Sequence, residues 1–183
     1  MTTAGPGLDL KKLKIFPLAS PAPLTDFSCG EREIDRRLAN CCDWHACHRA
    51  RVFYAELPSE PGKTYGFYCI GPHAHEERHV RGFFQRASDD TRTFVPFIYI
   101  NYIGVLDGWH NNGIGTMLLL NALERAAVVI RNIGAYGVAI HPLNERSARL
   151  YYRYGFRERN DRDDRPLMVL PARAVLEIFS LRS

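Results

Sequence analysis

The sequence contains a glycine turn of a kind that can hold a phosphate group. Asn111–Thr116 (Asn-Asn-Gly-Ile-Gly-Thr) follows an apolar, β-branched run at 97–105 and precedes an apolar-striped run at 117–126. A strand, a glycine turn and a helix in this order expose backbone N–H groups and direct the positive end of the helix dipole at the turn. Many strand-to-helix turns carry glycine for steric reasons alone, so anion binding and simple chain reversal are both open.

A second run, Asn144–Phe156, has the spacing of an amphipathic helix. Asn144 is a favourable N-cap, and Gly155 suits the left-handed position after the C-cap. Two sets of residues then share a face each at helical spacing: Ser147, Leu150, Tyr151 and Tyr154 on one side, Arg146, Arg149 and Arg153 on the other. The aromatic face is either part of the core or part of a site.

Length and composition describe an ordinary globular protein. The 183 residues are 46% hydrophobic and 24% charged, which predicts one domain over residues 1–183 with residues 1–12 as a flexible lead-in. The chain starts without the charged-then-apolar order of a secretory signal, and no apolar run approaches the roughly 18 residues of a membrane span. Five cysteines without scaffold spacing indicate reduced thiols, and we therefore predict a cytoplasmic protein without a membrane segment.

Positive charge is concentrated in the last third of the chain, although the net charge is only +4. Guanidinium groups pair bidentately with phosphate, so such a block suits a phosphate-bearing partner. A solvated surface, partly offset by nearby acidic residues, is the alternative. The arginines in question are Arg146, Arg149, Arg153, Arg157, Arg159, Arg162 and Arg165.

The remaining elements alternate between strands and helices. Ser28 and Glu31 have the spacing of a capping box, which predicts that a helix begins at Ser28. The apolar and turn patterns predict the following order: a strand at 14–18 kept to an edge by Pro17, the capped helix, strands at 51–57 and 64–70 joined by a hairpin loop at 58–62, a long polar connection at 71–92, a strand at 97–105, a helix at 113–131, a strand at 135–140, a helix from 144 to 154, and closing strands from 156 and at 167–170.

Two histidine groups raise the question of a metal. Cys41, His45 and His48 fall at i, i+4 and i+7, so three soft ligands could share a helix face. Zinc sites use four ligands or three with an open water position, and a cysteine is commonly just buried. The polar connection carries another group, which a solvent-exposed loop explains equally well: His73, His75 and His79. We predict no metal site.

Together, the glycine turn and the tyrosine helix resemble the GNAT acetyltransferase superfamily. Its members carry an Arg/Gln-x-x-Gly-x-Gly/Ala turn for the pyrophosphate of acetyl-coenzyme A and, further on, an Asn-x-x-Ala-x-x-Leu-Tyr-x-x-x-Gly-Phe helix. The order of elements extends the resemblance to about residues 14–175. The helix pattern is met by Asn144, Leu150, Tyr151, Gly155 and Phe156, with Ser147 in place of alanine.

The resemblance implies a mixed α/β (α+β) fold, with a mostly antiparallel sheet splayed at its two central strands and flanked by helices. It implies acetyl-coenzyme A as the cosubstrate, with Tyr151 protonating the departing thiolate. The implied coenzyme-binding residues are Ile103, Val105, His110, Asn111, Asn112, Gly113, Ile114, Gly115, Thr116, Asn144, Ser147 and Tyr151, the first two through backbone groups that bond pantetheine and hold the thioester oxygen.

Three positions depart from the family pattern or leave a role open. His110 stands where arginine or glutamine is usual, and Asn112 stands where the turn is often basic. We therefore expect weaker side-chain contributions to anion binding, while backbone N–H groups still cradle the pyrophosphate. His141, at the end of the strand before the tyrosine helix, is either a general base or a structural residue.

The segment 26–38 is similar to the N-terminal signature of GNAT toxins from bacterial toxin–antitoxin pairs. This narrower resemblance implies acetylation of the α-amine of aminoacyl-tRNA, a homodimer, and neutralisation by a ribbon–helix–helix antitoxin. The residues expected to bind the acceptor are Arg36, Arg37, Arg146, Arg149 and Arg153. Two alternatives stay open: an acetyltransferase acting on a protein or small-molecule amine, and a non-catalytic acyl-coenzyme A-binding module.

Overall fold

The computed structural model describes residues 8–76, 94–159 and 166–180. These residues contain seven β-strands, four α-helices and a 3-10 helix at Ala22–Leu24. The strands are β1 (Lys14–Pro17), β2 (Arg51–Glu56), β3 (Thr64–Glu76), β4 (Phe94–Val105), β5 (Gly137–Ile140), β6 (Arg157–Arg159) and β7 (Leu167–Pro171). The helices are α1 (Arg32–Ala46), α2 (Ile114–Asn132), α3 (Glu145–Arg153) and α4 (Ala172–Ser180).

The strands form one sheet in the order β1-β2-β3-β4-β5-β7-β6. β1 pairs with β2, β2 with β3, β5 with β7 and β6 with β7, each in antiparallel orientation. β4 and β5 are parallel, and their register contains only Ile98–Val138 and Tyr99–Ala139, whereas β4 continues to Val105. The predicted mixed, mostly antiparallel sheet with flanking helices is confirmed.

The chain divides into two compact units. The first contains residues up to Ile70 together with Tyr102–Asn121, and the second contains Gly71–Asn101 together with the residues from Ala122 onward. β3, β4 and α2 contribute residues to both units. The single domain expected from length and composition stays a prediction.

Aromatic rings and two close glycines build the first unit. Phe27 packs edge-on against Phe67 with ring centroids 5.2 Å apart, and Tyr65 packs edge-on against Trp109 at 5.0 Å. A Cβ atom on Gly66 would lie 2.8 Å from the carbonyl oxygen of Gly104, so glycine allows the backbones to approach here.

The second unit has its own core on the strands around β5. Its buried residues come from β4, β5 and β7, and α4 packs against β5 and β7. The cluster consists of Val95, Phe97, Ala139, Leu167 and Val169. None of the helices in the described ranges is both long and apolar enough to cross a bilayer.

The predicted capping box at Ser28 is wrong. α1 begins at Arg32, and its N-cap, Glu31, makes no side-chain capping hydrogen bond. Gly30 has a φ of +77°, a left-handed conformation that separates Ser28 from the helix. The Ser28 hydroxyl donates to Asp35 Oδ2 at 2.7 Å and the Cys29 N–H donates to Asp35 Oδ1 at 2.9 Å, so Asp35 orders the loop.

We expect Asp35→Asn to lower the free energy of unfolding by about 1–2 kcal/mol at pH 7, because hydrogen bonds to a charged group are lost. Burial alone would raise the pKa of Asp35, but the donors from Cys29 and Ser28 lower it overall. A lowered pKa stabilises the fold above the ordinary value of about 3.9 and ceases to do so as pH falls through the folded-state value. Denaturant unfolding at pH 7 and at about pH 2 measures the difference between variant and wild type.

The control for this prediction is Asp43→Asn, on the exposed side of the same helix. It should unfold like the wild type at both pH values. Equal stability of Asp35→Asn and wild type at pH 7 would contradict the role of this carboxylate.

The predicted polar connection at 71–92 is also wrong at its start. β3 continues through Glu76, and residues 77–92 lie outside the described residues. The imidazole rings of His73 and His75 lie 5.2 and 6.0 Å from the ring of Tyr99 on β4. Packing against a neighbouring strand therefore overrides the weak strand preference of this polar sequence.

Candidate active site

The glycine turn leads directly into α2, which begins at Ile114. Asn111 and Gly113 have φ angles of +66° and +83°, and the first helical hydrogen bond runs from Met117 N–H to the Gly113 carbonyl at 3.0 Å. By helix geometry, the N–H groups of the first turn, Ile114–Thr116, have no intrahelical acceptor. That turn contains no acidic residue, so nothing in it opposes a bound anion.

The two unusual side chains of the turn are held by backbone atoms. His110 Nε2 lies 3.1 Å from the carbonyl oxygen of Cys29, and because a carbonyl only accepts, Nε2 carries the proton. The amide of Asn112 donates to the carbonyl oxygens of Trp109 and His110, each at 3.3 Å. His110 therefore ties the turn to Cys29, whereas Asn112 adds only two longer hydrogen bonds within the turn.

The last residues of β4 present backbone groups on alternating edges. The N–H of Leu106, the residue after β4, donates to the Tyr65 carbonyl at 3.0 Å, on the side of β3. Because the N–H groups of successive strand residues point to opposite edges, those of Ile103 and Val105 point away from β3. The binding of pantetheine by Ile103 and Val105 stays a prediction.

The tyrosine helix, α3, begins with a reciprocal cap. Asn144 Oδ1 accepts from the Ser147 N–H at 3.0 Å, and the Asn144 N–H donates to Ser147 Oγ at 3.1 Å. The expected N-cap at Asn144 is confirmed, and Gly155 has the expected left-handed φ of +85°. Serine in place of the family's alanine thus completes a capping box.

Tyr151 is the buried residue of α3, with 5% of its surface exposed. Its ring centroid lies 5.7 Å from that of Phe156. Burial, and secondarily the nearby Tyr99, raise the pKa of Tyr151 well above its ordinary value of about 10. The phenol therefore stays protonated, and can donate, throughout the neutral range.

The arginines expected to bind the acceptor all lie on exposed surface. Arg36 and Arg37 are exposed on α1 in the first unit. Arg146, Arg149 and Arg153 are exposed on α3 in the second unit, at i, i+3 and i+7. The latter three therefore form one charged stripe on the helix that carries Tyr151, which we call the α3 arginine stripe.

Tyr99 is a residue of this region that the sequence patterns did not single out. It is half-buried on β4, and the rings of His73, His75 and His141 lie 5.2, 6.0 and 5.9 Å from it. The available signal was strand alternation, which places Tyr99 on the same face as Ile103 and Val105. An aromatic residue in an apolar strand usually belongs to the core, so the sequence pattern provided no reason to assign Tyr99 to a functional site.

The cysteine and histidine residues considered as metal ligands have other partners. His45 Nδ1 accepts from the Val52 N–H at 3.0 Å, and the buried Cys41 thiol is hydrogen-bonded to Cys69, which together with burial raises its pKa. Among the residues with described positions, no group of three or more His, Cys, Asp or Glu side chains could hold a metal ion. All five cysteines are free thiols.

The sequence matches the family model of the acetyltransferase (GNAT) domain over residues 48–158. The match spans more than half of the chain and includes the glycine turn and α3. The chain belongs to the GNAT acetyltransferase family, and it is an acetyl-coenzyme A-dependent N-acetyltransferase.

Two curated relatives are similar along most of their length. The chain is 28% identical over 160 residues to a tRNA-acetylating toxin of Mycobacterium tuberculosis, covering 84% of this chain and 90% of that protein. It is 30% identical over 168 residues to a probable toxin, TacT, of Sinorhizobium fredii, covering 86% of each.

Solved structures share the fold at lower sequence identity. One shows the toxin AtaT complexed with acetyl-methionyl-tRNAfMet, at 17% identity and a TM-score of 0.76, covering 92% of this chain and 99% of that one. Another shows a tyrosine-to-phenylalanine mutant of AtaT bound to the C-terminus of the antitoxin AtaR and acetyl-CoA. For it the identity is 18% and the TM-score 0.72, with 92% and 99% covered.

Proposed function

We propose that this chain transfers the acetyl group of acetyl-coenzyme A to the α-amine of an aminoacyl-tRNA and acts as the toxin of a toxin–antitoxin pair. The observation that carries this proposal is the similarity to a named tRNA-acetylating toxin over 84% of this chain and 90% of that protein. The exposed α3 arginine stripe on the helix of Tyr151 supports it, because guanidinium groups suit a polyphosphate acceptor.

The chemistry of the acceptor fits the groups available. A free α-amine has a pKa of about 7.7–8.0, against about 10.4 for a lysine side chain, so a useful fraction is neutral at pH 7. The amine attacks the thioester carbonyl carbon, and an N–H of β4 holds the oxygen as negative charge develops. Tyr151 then donates its proton toward the leaving sulfur, which departs as the thiol of coenzyme A.

The coenzyme is held by two kinds of backbone group. The N–H groups of Ile114–Thr116, with the turn at His110–Gly113, cradle the pyrophosphate, and the dipole of α2 favours its charge. The backbone groups of Ile103 and Val105 bond pantetheine as an added strand would. Asn144 and Ser147 contribute by fixing the start of α3, because their side chains cap it.

A charge series at Asn112 is expected to change coenzyme A affinity in a fixed order. Asn112 is exposed, and its amide bonds of 3.3 Å are long, so replacing it costs little stability. Asn112→Lys restores a basic residue at the turn and should tighten binding by about fivefold, whereas Asn112→Asp should weaken it by about as much. Calorimetric titration with coenzyme A at two salt concentrations measures the affinity of each variant. The differences from the wild-type affinity should be smaller at high salt, because salt screens the charges. Equal coenzyme A affinities of the wild type and the two variants would show that the pyrophosphate does not bind at this turn.

The cellular setting follows from the same proposal. The antitoxin that neutralises this chain is a ribbon–helix–helix protein. The active form of the toxin is a homodimer of single-domain chains, and it acts in the cytoplasm, where aminoacyl-tRNA is found. Five free thiols are compatible with a reducing compartment. Light scattering of the purified chain tests the dimer, and co-purification with the product of a neighbouring small reading frame tests the antitoxin.

The acceptor is tested by incubation with labelled acetyl-coenzyme A and four acceptors in parallel: charged tRNA, the same tRNA after deacylation, a lysine-rich peptide and a polyamine. We expect label in the charged tRNA and none in the deacylated tRNA. Label found only in the peptide or the polyamine would show that the acceptor is that amine and not aminoacyl-tRNA. Transfer to none of the four acceptors would overturn the proposed reaction.

A further inference from the structure

Tyr99 is the centre of a cluster of titratable rings in the second unit. His141 approaches it edge-on with ring centroids 5.9 Å apart, and His73 and His75 pack on it from β3. Tyr99 also lies near enough to Tyr151 to contribute to its raised pKa, after burial. Tyr99 therefore packs against the histidine that follows β5 and interacts electrostatically with the proposed acid, Tyr151.

The hydrogen bond of His141 defines which ring nitrogen can accept a proton. Nδ1 lies 2.9 Å from the carbonyl oxygen of Pro166, and because a carbonyl only accepts, Nδ1 carries the hydrogen. In the neutral ring the lone pair is then on Nε2. The residue is exposed, so a proton taken up by Nε2 can pass to solvent.

We propose that His141 is the general base of the transfer and accepts the proton of the attacking amine at Nε2. This inference rests on the proposed function, because it assigns a role in acetyl transfer to an amine. It gives the Pro166 carbonyl a role as well, which is to fix the ring orientation and the tautomer.

The step balances with two proton transfers in opposite directions. The amine nitrogen forms a bond to the acetyl carbon and becomes positively charged, and Nε2 of His141 takes one of its protons. The bond from carbon to sulfur then breaks as the Tyr151 hydroxyl gives its proton to the sulfur. The products are the N-acetylated acceptor and coenzyme A, after which His141 loses its proton to water and Tyr151 regains one.

Proton removal from the nitrogen is the step that needs a base. A neutral α-amine attacks unaided, but the adduct with a charged nitrogen reverts unless a proton is lost before the sulfur leaves. An imidazole is the side chain that most often takes such a proton near neutral pH. Within the described ranges, the rings that pack on Tyr99 beside His141 are those of His73 and His75, and neither of them carries a carboxylate.

His141→Asn tests the inference most directly. The asparagine amide can still donate to the Pro166 carbonyl from about the position of Nδ1, while Nε2 is removed. We expect kcat with charged tRNA to fall by about 10²-fold at pH 7, with the KM for acetyl-coenzyme A unchanged. The deficit should shrink toward pH 9, where hydroxide replaces the base, and added imidazole should restore part of the rate.

The matched control is His73→Asn, which removes another exposed imidazole beside Tyr99 and should retain the wild-type pH profile. A His141→Asn deficit that is the same at every pH, or a wild-type rate, would overturn the inference. The wild-type chain is assayed in the same experiment. If it does not acetylate charged tRNA, the proposed function fails, and that outcome is separate from failure of His141 as the base.

Discussion

Tyr151→Phe is expected to lower kcat by about 10²- to 10⁴-fold, the range found when a positioned acid or base is removed. The raised pKa of Tyr151 keeps its hydroxyl protonated, so the wild type has a donor for the leaving sulfur. Phenylalanine lacks this donor but keeps the ring that packs near Phe156. Steady-state kinetics with charged tRNA measure the loss of kcat. Thermal unfolding and coenzyme A titration test whether the fold and the coenzyme affinity are retained.

The control is Tyr152→Phe at the neighbouring position. Tyr152 is exposed, and its hydroxyl donates to Glu158, so its removal should leave kcat close to the wild-type value. Because the pKa of Tyr151 is raised, we also expect no loss of activity from its ionisation between pH 7 and pH 9. A Tyr151→Phe variant that is folded, binds coenzyme A and turns over at the wild-type rate would remove Tyr151 from the mechanism.

Replacing the α3 arginine stripe is expected to weaken the binding of charged tRNA without changing the binding of acetyl-coenzyme A. The triple variant Arg146→Gln, Arg149→Gln and Arg153→Gln should raise the KM for charged tRNA by about 10²-fold, because several phosphate contacts are lost. The slope of log affinity against log salt should become less steep by about two to three. The KM for acetyl-coenzyme A should stay the same, because the turn before α2 and not this stripe is proposed to hold the pyrophosphate.

A triple lysine variant is the matched control for the stripe. Lysine keeps the positive charge and loses the bidentate geometry, so most of the affinity and the salt dependence should be retained. Equal KM values for charged tRNA in the glutamine variant and the wild type would show that the acceptor binds elsewhere.

The parts of the fold that sequence patterns predicted are those fixed by local chemistry. Asn144 as an N-cap and Gly155 after the C-cap follow from backbone geometry that few other residues satisfy, and both are present. The short β1 with Pro17 at an edge of the sheet, and the hairpin loop between β2 and β3, follow from similar local rules.

The errors arise where contacts outside the recognised pattern decide the conformation. Ser28 and Glu31 have the spacing of a capping box, yet a left-handed Gly30 and the carboxylate of Asp35 move the start of the helix to Arg32. His73 and His75 belong to a polar segment, yet their packing on Tyr99 extends β3 through them.

The candidate site was partly predictable for the same reason. The glycine turn and Tyr151 belong to motifs with fixed spacing, whereas Tyr99 lies on β4 and His141 follows β5. The sequence named His141 as a general base or a structural residue, but the packing of its ring on Tyr99 and its hydrogen bond to Pro166 required the structure. His110 was expected to contribute less as a phosphate ligand, and its hydrogen bond to Cys29 adds a bracing role that spacing could not reveal.

The most direct test of the central claim is to locate the acetyl group chemically. Charged tRNA is incubated with the protein and acetyl-coenzyme A, the aminoacyl ester is hydrolysed under mild alkali, and the released products are identified by mass spectrometry. We predict N-acetylated amino acids, formed with the wild type and strongly reduced with Tyr151→Phe. Free, unacetylated amino acids from the wild-type reaction would contradict acetylation of the aminoacyl-tRNA α-amine.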